Sequence, residues 1–243
     1  MRIVKLDAID STNTYLKGLM QSETLEDFTV VTANHQQYGR GQMGSKWKSE
    51  PGLNLIMSVL KRFDSFQAQE QFFLVVWVSL AVLDALKSFE IPNLSIKWPN
   101  DIMSGNRKIG GILIENSLKG PKIQSAVIGV GLNVNQSEFV DLPNATSMKL
   151  CFGRDYEINE VLEAVLRNLQ QGFITYEKEG PVTPWTLYEE HLFGKDRECK
   201  FLIDGDRMVY GKIRGVSAEG KLQIALENGV LRTFGLKEIK LLL

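Results

Sequence analysis

The sequence predicts an α+β fold in two parts, and three observations carry that reading. Strand-like runs and amphipathic helices follow one another without regular alternation through residue 193. Beyond it come four short strand-like runs separated by turn dipeptides, the mark of successive hairpins. The charge changes at the same place: residues 1–193 carry 18 basic and 22 acidic side chains, residues 194–243 carry 10 and 7. A boundary is therefore drawn near Phe193, with a main domain over 1–193 and a small β unit over 194–243.

In chain order, Arg2–Leu6 and Phe28–Ala33 run apolar or alternate, as strands do, with a short helix between them. Ser11 or Thr12 is placed to cap that helix, and Tyr15, Leu16 and Leu19 follow at helical spacing. His35 to Gly52 breaks the pattern with four glycines and several polar residues, and ordered loops of this length are usually functional. Its glycines predict mobility that a ligand would quench. Leu53–Leu60 reads as a strand, Gln67–Phe89 as a buried helix, and Ser95–Trp98, Ile109–Glu115 and Gln124–Val134 as strands. From Ile158, the apolar positions Val161, Leu162, Val165, Leu166, Leu169, Phe173 and Tyr176 describe one face of a long helix. Trp185–Leu192 is one more short helix. The β unit then reads as Cys199–Ile203, Met208–Val216, Lys221–Ala225 and Val230–Phe234. Turns are marked by Asp204-Gly205-Asp206, Glu219-Gly220 and Asn228-Gly229.

Composition excludes several classes. With 28 basic and 29 acidic residues in 243, the chain lacks the basic excess that coating nucleic acid or anionic membrane requires. Two Cys and two His cannot form a zinc site of the usual spacing. A Cys151–Cys199 disulfide stays open, although nothing else points to an oxidising compartment. The N-terminus has no signal-peptide layout, and the longest apolar run, Phe72–Leu83, is short for a bilayer span. These features together predict a cytoplasmic protein with no membrane partner.

Four motifs carry chemistry. His35–Trp47 places glycines at alternating positions around Arg40, so that backbone N–H groups and a forked cation face an anion. It is neither a Walker nor a Rossmann loop, and alone it reads equally as a surface loop. Lys97-Trp98-Pro99-Asn100-Asp101 ends a strand with an amide, a carboxylate and an ammonium; Asp101 is the candidate Mg²⁺ ligand beside a phosphate-binding Lys97. Alone, it reads more simply as a polar turn. Arg107-Lys108-Ile109-Gly110-Gly111-Ile112-Leu113-Ile114-Glu115 brings two cations into a strand whose glycines allow close approach of a ligand or of another backbone; alone it reads equally as a hairpin rim. Gly129-Val130-Gly131-Leu132-Asn133-Val134-Asn135 puts two glycines before Asn133, which can read a flat ligand, although alone the pattern is a weak signal.

In order and spacing, with Ser11-Thr12-Asn13 ahead of them, these motifs resemble those of the biotin protein ligases: STN, QQxGRG…W, KWPND, RKIGGIL and GxGLN. The resemblance spans essentially the whole chain. It implies a largely antiparallel mixed sheet with flanking helices, of the class II aminoacyl-tRNA synthetase and biotin synthetase type, plus an SH3-like barrel. It also implies activation of biotin by Mg·ATP to biotinyl-5′-AMP, then transfer to a lysine on a biotin carrier domain. Ser11, Thr12, Asn13, Gln36, Arg40, Gly41, Gln42, Lys108 and Gly111 would then hold biotin, with Lys108 the main electrostatic catalyst. Arg40, Trp47, Lys97, Asn100, Asp101, Lys108 and Asn133 would serve ATP, with Trp47 stacking on adenine and Asn133 reading its edge. Arg40, Lys97 and Asp101 complete the catalytic set.

Two departures matter. Many members read GRGRRG in the loop; here Gln42 and Met43 stand in place of the second and third arginines, predicting weaker retention of the adenylate. Some members carry an N-terminal winged helix and repress transcription, whereas the first strand here starts at residue 2, so no DNA partner is expected. A homodimer is left open. A lipoate or octanoate ligase is the competing enzyme, and a biotin or adenylate sensor without turnover the competing binder. A ureido ring needs the several polar partners that STN and Gln36 offer, whereas an alkyl chain needs apolar walls.

Overall fold

A computed structural model describes residues 1–179 and 182–242. The first of its two sheets holds β1 (Ile3–Ile9), β2 (Val30–Gln36), β3 (Asn54–Gln67), β4 (Leu94–Lys97), β5 (Asp101–Ser104), β6 (Arg107–Lys119) and β7 (Lys122–Asn133). Their spatial order is β1-β2-β3-β7-β6-β5-β4. Helix α1 (Thr12–Ser22) crosses between β1 and β2, which therefore run parallel, while every other neighbouring pair is antiparallel. This is the mixed, largely antiparallel sheet that the family resemblance implied.

Alternation along the strands separates two faces. Leu55, Met57 and Val59 on β3, with Ala126, Ile128 and Val130 on β7, join the main core. The intervening Leu60 and Val127 pack instead with Leu16 of α1. The main core is closed by α2 (Gln71–Lys87), α4 (Ile158–Glu179) and α5 (Val182–Glu190). The stretch Ala68–Lys87, with mean hydropathy 1.4, is long and apolar enough to cross a bilayer, longer than the Phe72–Leu83 run on which the sequence reading rested. It packs here as the central core helix, apolar on nearly all sides because α4, α5 and the sheet enclose it.

The second sheet, β8 (Glu198–Ile203), β9 (Arg207–Val216), β10 (Leu222–Leu226), β11 (Leu231–Phe234) and β12 (Ile239–Leu242), is antiparallel in the order β11-β10-β9-β8-β12. Gly205, Gly220 and Gly229 all have positive φ, which explains why these turns need glycine. Phe201, Ile203, Ile213, Ile224 and Phe234 continue the main core into this unit. Polar bonds also tie the second sheet to the end of β4 and to α5: Trp98 Nε1 donates to Gly220 O at 3.0 Å, and Val216 N to the Glu189 carboxylate at 3.0 Å. Tyr188, fully buried at the junction, has its hydroxyl pKa pushed far upward by that burial.

Several elements differ from expectation. β3 runs on to Gln67 rather than stopping at Leu60, because the charge at Lys61 does not end the strand. Its ammonium pairs with Asp27 at 2.9 Å and lies 5.5 Å from the ring centres of Phe28 and Phe173. Gln67 therefore closes a strand, a 3₁₀ turn covers Ala68–Glu70, and the helix starts at Gln71. β5, β12 and α3 (Met148–Phe152) were not anticipated. Both cysteines are unpaired.

Candidate active site

On the α1 face of the sheet, a cleft of about 510 Å³ lies between the start of α1, the loop after β2 and the middle of β6 and β7. The chain builds its floor from glycine: Gly111, Gly129 and Gly131 share this face, so nothing projects where side chains would otherwise stand. Among the expected biotin residues, Ser11, Thr12, Asn13, Gln36, Arg40, Gly41, Gln42, Lys108 and Gly111 all line it.

Its inner end is a buried polar network. Gln36 Oε1 accepts from Thr12 N at 2.7 Å and lies 3.1 Å from the Thr12 hydroxyl. Ser58, on β3 beneath the cleft, places its hydroxyl 2.7 Å from Thr12 Oγ1 and 2.6 Å from Asn13 Oδ1. Asn13 Nδ2 donates to Glu115 Oε2 at 2.8 Å. Glu115 also receives Lys17 at 2.9 Å and Arg40 at 3.1 Å. Burial pushes the Glu115 carboxyl upward, but the bonds from Lys17 and Asn13 and the nearby Lys17 and Arg40 charges outweigh it, leaving the pKa below its ordinary value. Ser11 takes the cap position of α1 through its backbone, and its side chain makes no capping bond.

The other end is cationic. A bulge in β6 sets it up: Ile102 pairs with Gly110 and Met103 with Lys108, so Ile109 is an extra residue, fully buried in the core. Lys108 and Gly111 consequently share the cleft face although three residues apart, and a Cβ on Gly111 would stand 3.2 Å from the Lys108 ammonium. The backbone of Lys108 is held from outside by Asn144 O at 2.7 Å and Thr146 N at 2.8 Å. Its ammonium pairs with Asp101 at 2.5 Å. Lys97, opposite Asp101 in the β4–β5 hairpin, has its pKa lowered by burial. Asp101 opposes that shift, while Lys108 and Lys240 add to it.

The loop after β2 folds back as a small hairpin, with an Arg40–Lys46 bridge and Trp47 N donating to Gly39 O at 2.9 Å. Met43 turns it at φ 58°, in the left-handed region. Trp47 then lies across the glycine floor: a Cβ on Gly131 would come within 2.7 Å of its ring. Its buried indole N–H has no partner among the described residues. Beyond Trp47 a second cleft, about 290 Å³, takes in Lys97, Asp101, Lys108 and Asn133 under the segment Phe139–Ala145.

Two residues expected to serve ATP are partly committed to the protein. The Asn100 NH₂ donates to Ile112 O, holding the β4–β5 turn against β6, while the residue still borders the first cleft. Asn133 Nδ2 donates to Thr146 O at 2.8 Å, so its amide N–H is committed to the protein while the residue lines the second cleft. Among the described residues no three His, Cys, Asp or Glu gather as a metal cluster. A single carboxylate, Asp101, beside lysines suits Mg²⁺ that arrives already bound to nucleotide phosphates rather than an ion held by protein alone.

Sequence reasoning missed Ser58, Glu115, Leu236 and Lys240. Glu115 was legible in principle, since strand alternation places it on the same face as Gly111 and Leu113. Ser58 had a weaker signal, one hydroxyl inside the apolar run Leu53–Leu60. Leu236 and Lys240 reach the first cleft from the second sheet, which no spacing in the sequence discloses.

The biotin/lipoate A/B protein ligase family matches residues 6–133, and the biotin protein ligase C-terminal domain matches residues 196–235. The chain is 31% identical to the biotin–[acetyl-CoA-carboxylase] ligase of Mycobacterium tuberculosis over 216 residues, covering 87% of this chain and 79% of that protein. It is 29% identical to the bifunctional ligase/repressor BirA of Escherichia coli, covering 98% of this chain and 74% of that one. Among solved structures, the biotin protein ligase from Aquifex aeolicus in complex with biotin and ATP superposes with a TM-score of 0.80 at 28% identity, covering 99% of this chain and 98% of that one. The chain belongs to the biotin/lipoate A/B protein ligase family.

Proposed function

We propose that this chain is a biotin protein ligase that adenylates biotin with Mg·ATP and passes it to a lysine of a biotin carrier domain. The observation that supports it best is one continuous cleft with a buried polar end for a neutral cyclic urea and a cationic end for two anions. In the first step a biotin carboxylate oxygen attacks the α-phosphorus and pyrophosphate leaves. Lys108, beside Asp101, is placed to stabilise charge developing on the phosphoryl oxygens, and Arg40 to hold the carboxylate. Trp47 offers an aromatic face to adenine and its unpartnered N–H to an acceptor. Asn133 Oδ1 suits the adenine amino group. Lys97 meets the leaving phosphates. In the second step a neutral lysine amine attacks the acyl carbon of the mixed anhydride, AMP leaves and the amine loses its proton.

The acceptor is read as the carrier domain of a biotin-dependent carboxylase, after the M. tuberculosis relative's name. Two unpaired cysteines and an apolar helix enclosed by protein suit a cytoplasmic reaction. The test is pyrophosphate release from Mg·ATP with biotin, lipoate or octanoate and no acceptor protein. A burst of about one pyrophosphate per site with biotin alone is the expected result. A burst with lipoate or octanoate instead would reassign the substrate, and silence with all three despite tight biotin binding would make the site a sensor.

A further inference from the structure

The polar network at the buried end contains an ambiguity that hydrogen-bond chemistry resolves. Ser58 has one proton and two oxygens within reach, Thr12 Oγ1 at 2.7 Å and Asn13 Oδ1 at 2.6 Å. Thr12 likewise has one proton and lies near both Ser58 and Gln36 Oε1. Such a chain has two arrangements of opposite direction, the first of which leaves the 3.1 Å contact between Thr12 Oγ1 and Gln36 Oε1 without a proton. In one, Ser58 donates to Asn13 and Thr12 donates to Ser58. In the other, the Asn13 amide is turned over, its NH₂ donates to Ser58, Ser58 donates to Thr12 and Thr12 donates to Gln36. Heavy-atom positions hardly differ between them, so packing cannot choose.

Glu115 chooses. An ionised carboxylate only accepts, and Asn13 must turn its NH₂ toward it, as the 2.8 Å bond shows. The charges of Lys17 and Arg40 on the same carboxylate keep it ionised. Asn13 then presents its oxygen to Ser58, and the first arrangement is the one populated. We propose that Glu115 is a positioning residue that sets the direction of the hydroxyl protons at Ser58 and Thr12, and thereby the donor and acceptor pattern that the cleft offers to its ligand. Thr12 Oγ1 faces the cleft with lone pairs, and the Gln36 NH₂ is left to donate because its oxygen is engaged by Thr12 N. Acceptors beside a donor complement a cyclic urea, whose carbonyl lies between two N–H groups. The identity of that ligand rests on the ligase reading; the relay itself does not.

Calorimetric titration of biotin, without ATP, into wild type, Glu115→Gln, Ser58→Ala and the double variant tests the relay. Glu115→Gln keeps the size of the side chain but adds an NH₂, permitting the reverse arrangement. It is expected to weaken biotin about tenfold in the wild-type background and less than about twofold where Ser58 is already absent. Lys17 and Arg40 lose the same charge in both backgrounds, so an effect that runs through them would be equal in both. Equal weakening, or none in either background, overturns the proposal. Should Glu115→Gln fail to fold, Glu115→Asp withdraws the carboxylate from Asn13 and carries the same expectation. A second readout needs no biotin: in the ligand-free chain the Asn13 NH₂ protons should exchange with water at least about tenfold more slowly than those of exposed Asn93, and their NMR resonances should move on Glu115→Gln far more in the wild-type background than in Ser58→Ala, as the amide turns toward Ser58. Resonance shifts that are equal in the two backgrounds overturn the relay. Wild type that shows the protection but ignores biotin would sink the ligase reading alone.

Discussion

The two ends of the cleft solve recognition in opposite ways. At the inner end, Thr12, Asn13, Gln36 and Ser58 are all buried and bonded to one another before any ligand arrives, so little reorganisation accompanies binding. At the outer end, Arg40 and Lys108 are each more than a third exposed and already hold carboxylates, Glu115 and Asp101. An anionic ligand must exchange those partners for its own oxygens. The difference teaches that neutral dipoles are best fixed in advance, whereas cations that have to meet a developing charge are kept neutralised until it appears.

The comparison breaks or sharpens most clearly at Lys108. Lys108→Met should slow biotin-dependent pyrophosphate release by about 10²–10³-fold while biotin affinity changes far less, because the charge it meets exists mainly in the transition state. An equal loss of affinity and rate would make it a ground-state anchor instead. Gln36→Leu should do the reverse, weakening biotin by about 10–100-fold in calorimetry and leaving the KM for ATP within about twofold. A matching rise in that KM would mean the two ends are not separate. Gln42→Arg adds a cation where this loop has an amide, and should slow adenylate dissociation several-fold, on the order of 1 kcal/mol. Equal or faster loss from the variant would show that the charge deficit is made up elsewhere.

The smallest effect is one of pH. Burial lowers the Lys97 pKa, so its ammonium is lost at lower pH than that of a free lysine, and affinity for ATP should decline as pH rises through that depressed value. Lys97→Arg keeps its charge throughout and should move the alkaline limb of kcat/KM for ATP upward. A limb that stays in place belongs to another group.

Much of this was legible in the sequence because it follows local rules. Glycine pairs, apolar periodicity and turn dipeptides each mark their own neighbourhood, and they located α1, α4, most strands and the loop around Arg40. What escaped depends on partners distant in sequence. β5 is four residues long and begins two residues after Pro99, too short for alternation to declare it. Lys61 looked like the end of a strand because nothing nearby announces Asp27 or the aromatic rings around it. Lys240 enters the cleft from β12, 132 positions beyond Lys108 in number and close to Lys97 and Lys108 in space. Glu115 stood at the end of a recognised motif, yet its importance lies in bonds to Asn13, Lys17 and Arg40.

The bulge at Ile109 has a consequence for which changes this site can inherit. In a regular strand, residues three apart point to opposite sides, so Lys108 and Gly111 can serve one cleft only while one uncounted residue lies between them. Replacing Ile109 by valine or leucine alters a volume. Deleting it leaves the lettering of the motif almost intact and turns the ammonium toward the hydrocarbon interior. At this place the chain tolerates edits of spelling far better than edits of length, and two relatives that agree in every named residue but differ by one here would not share the reaction.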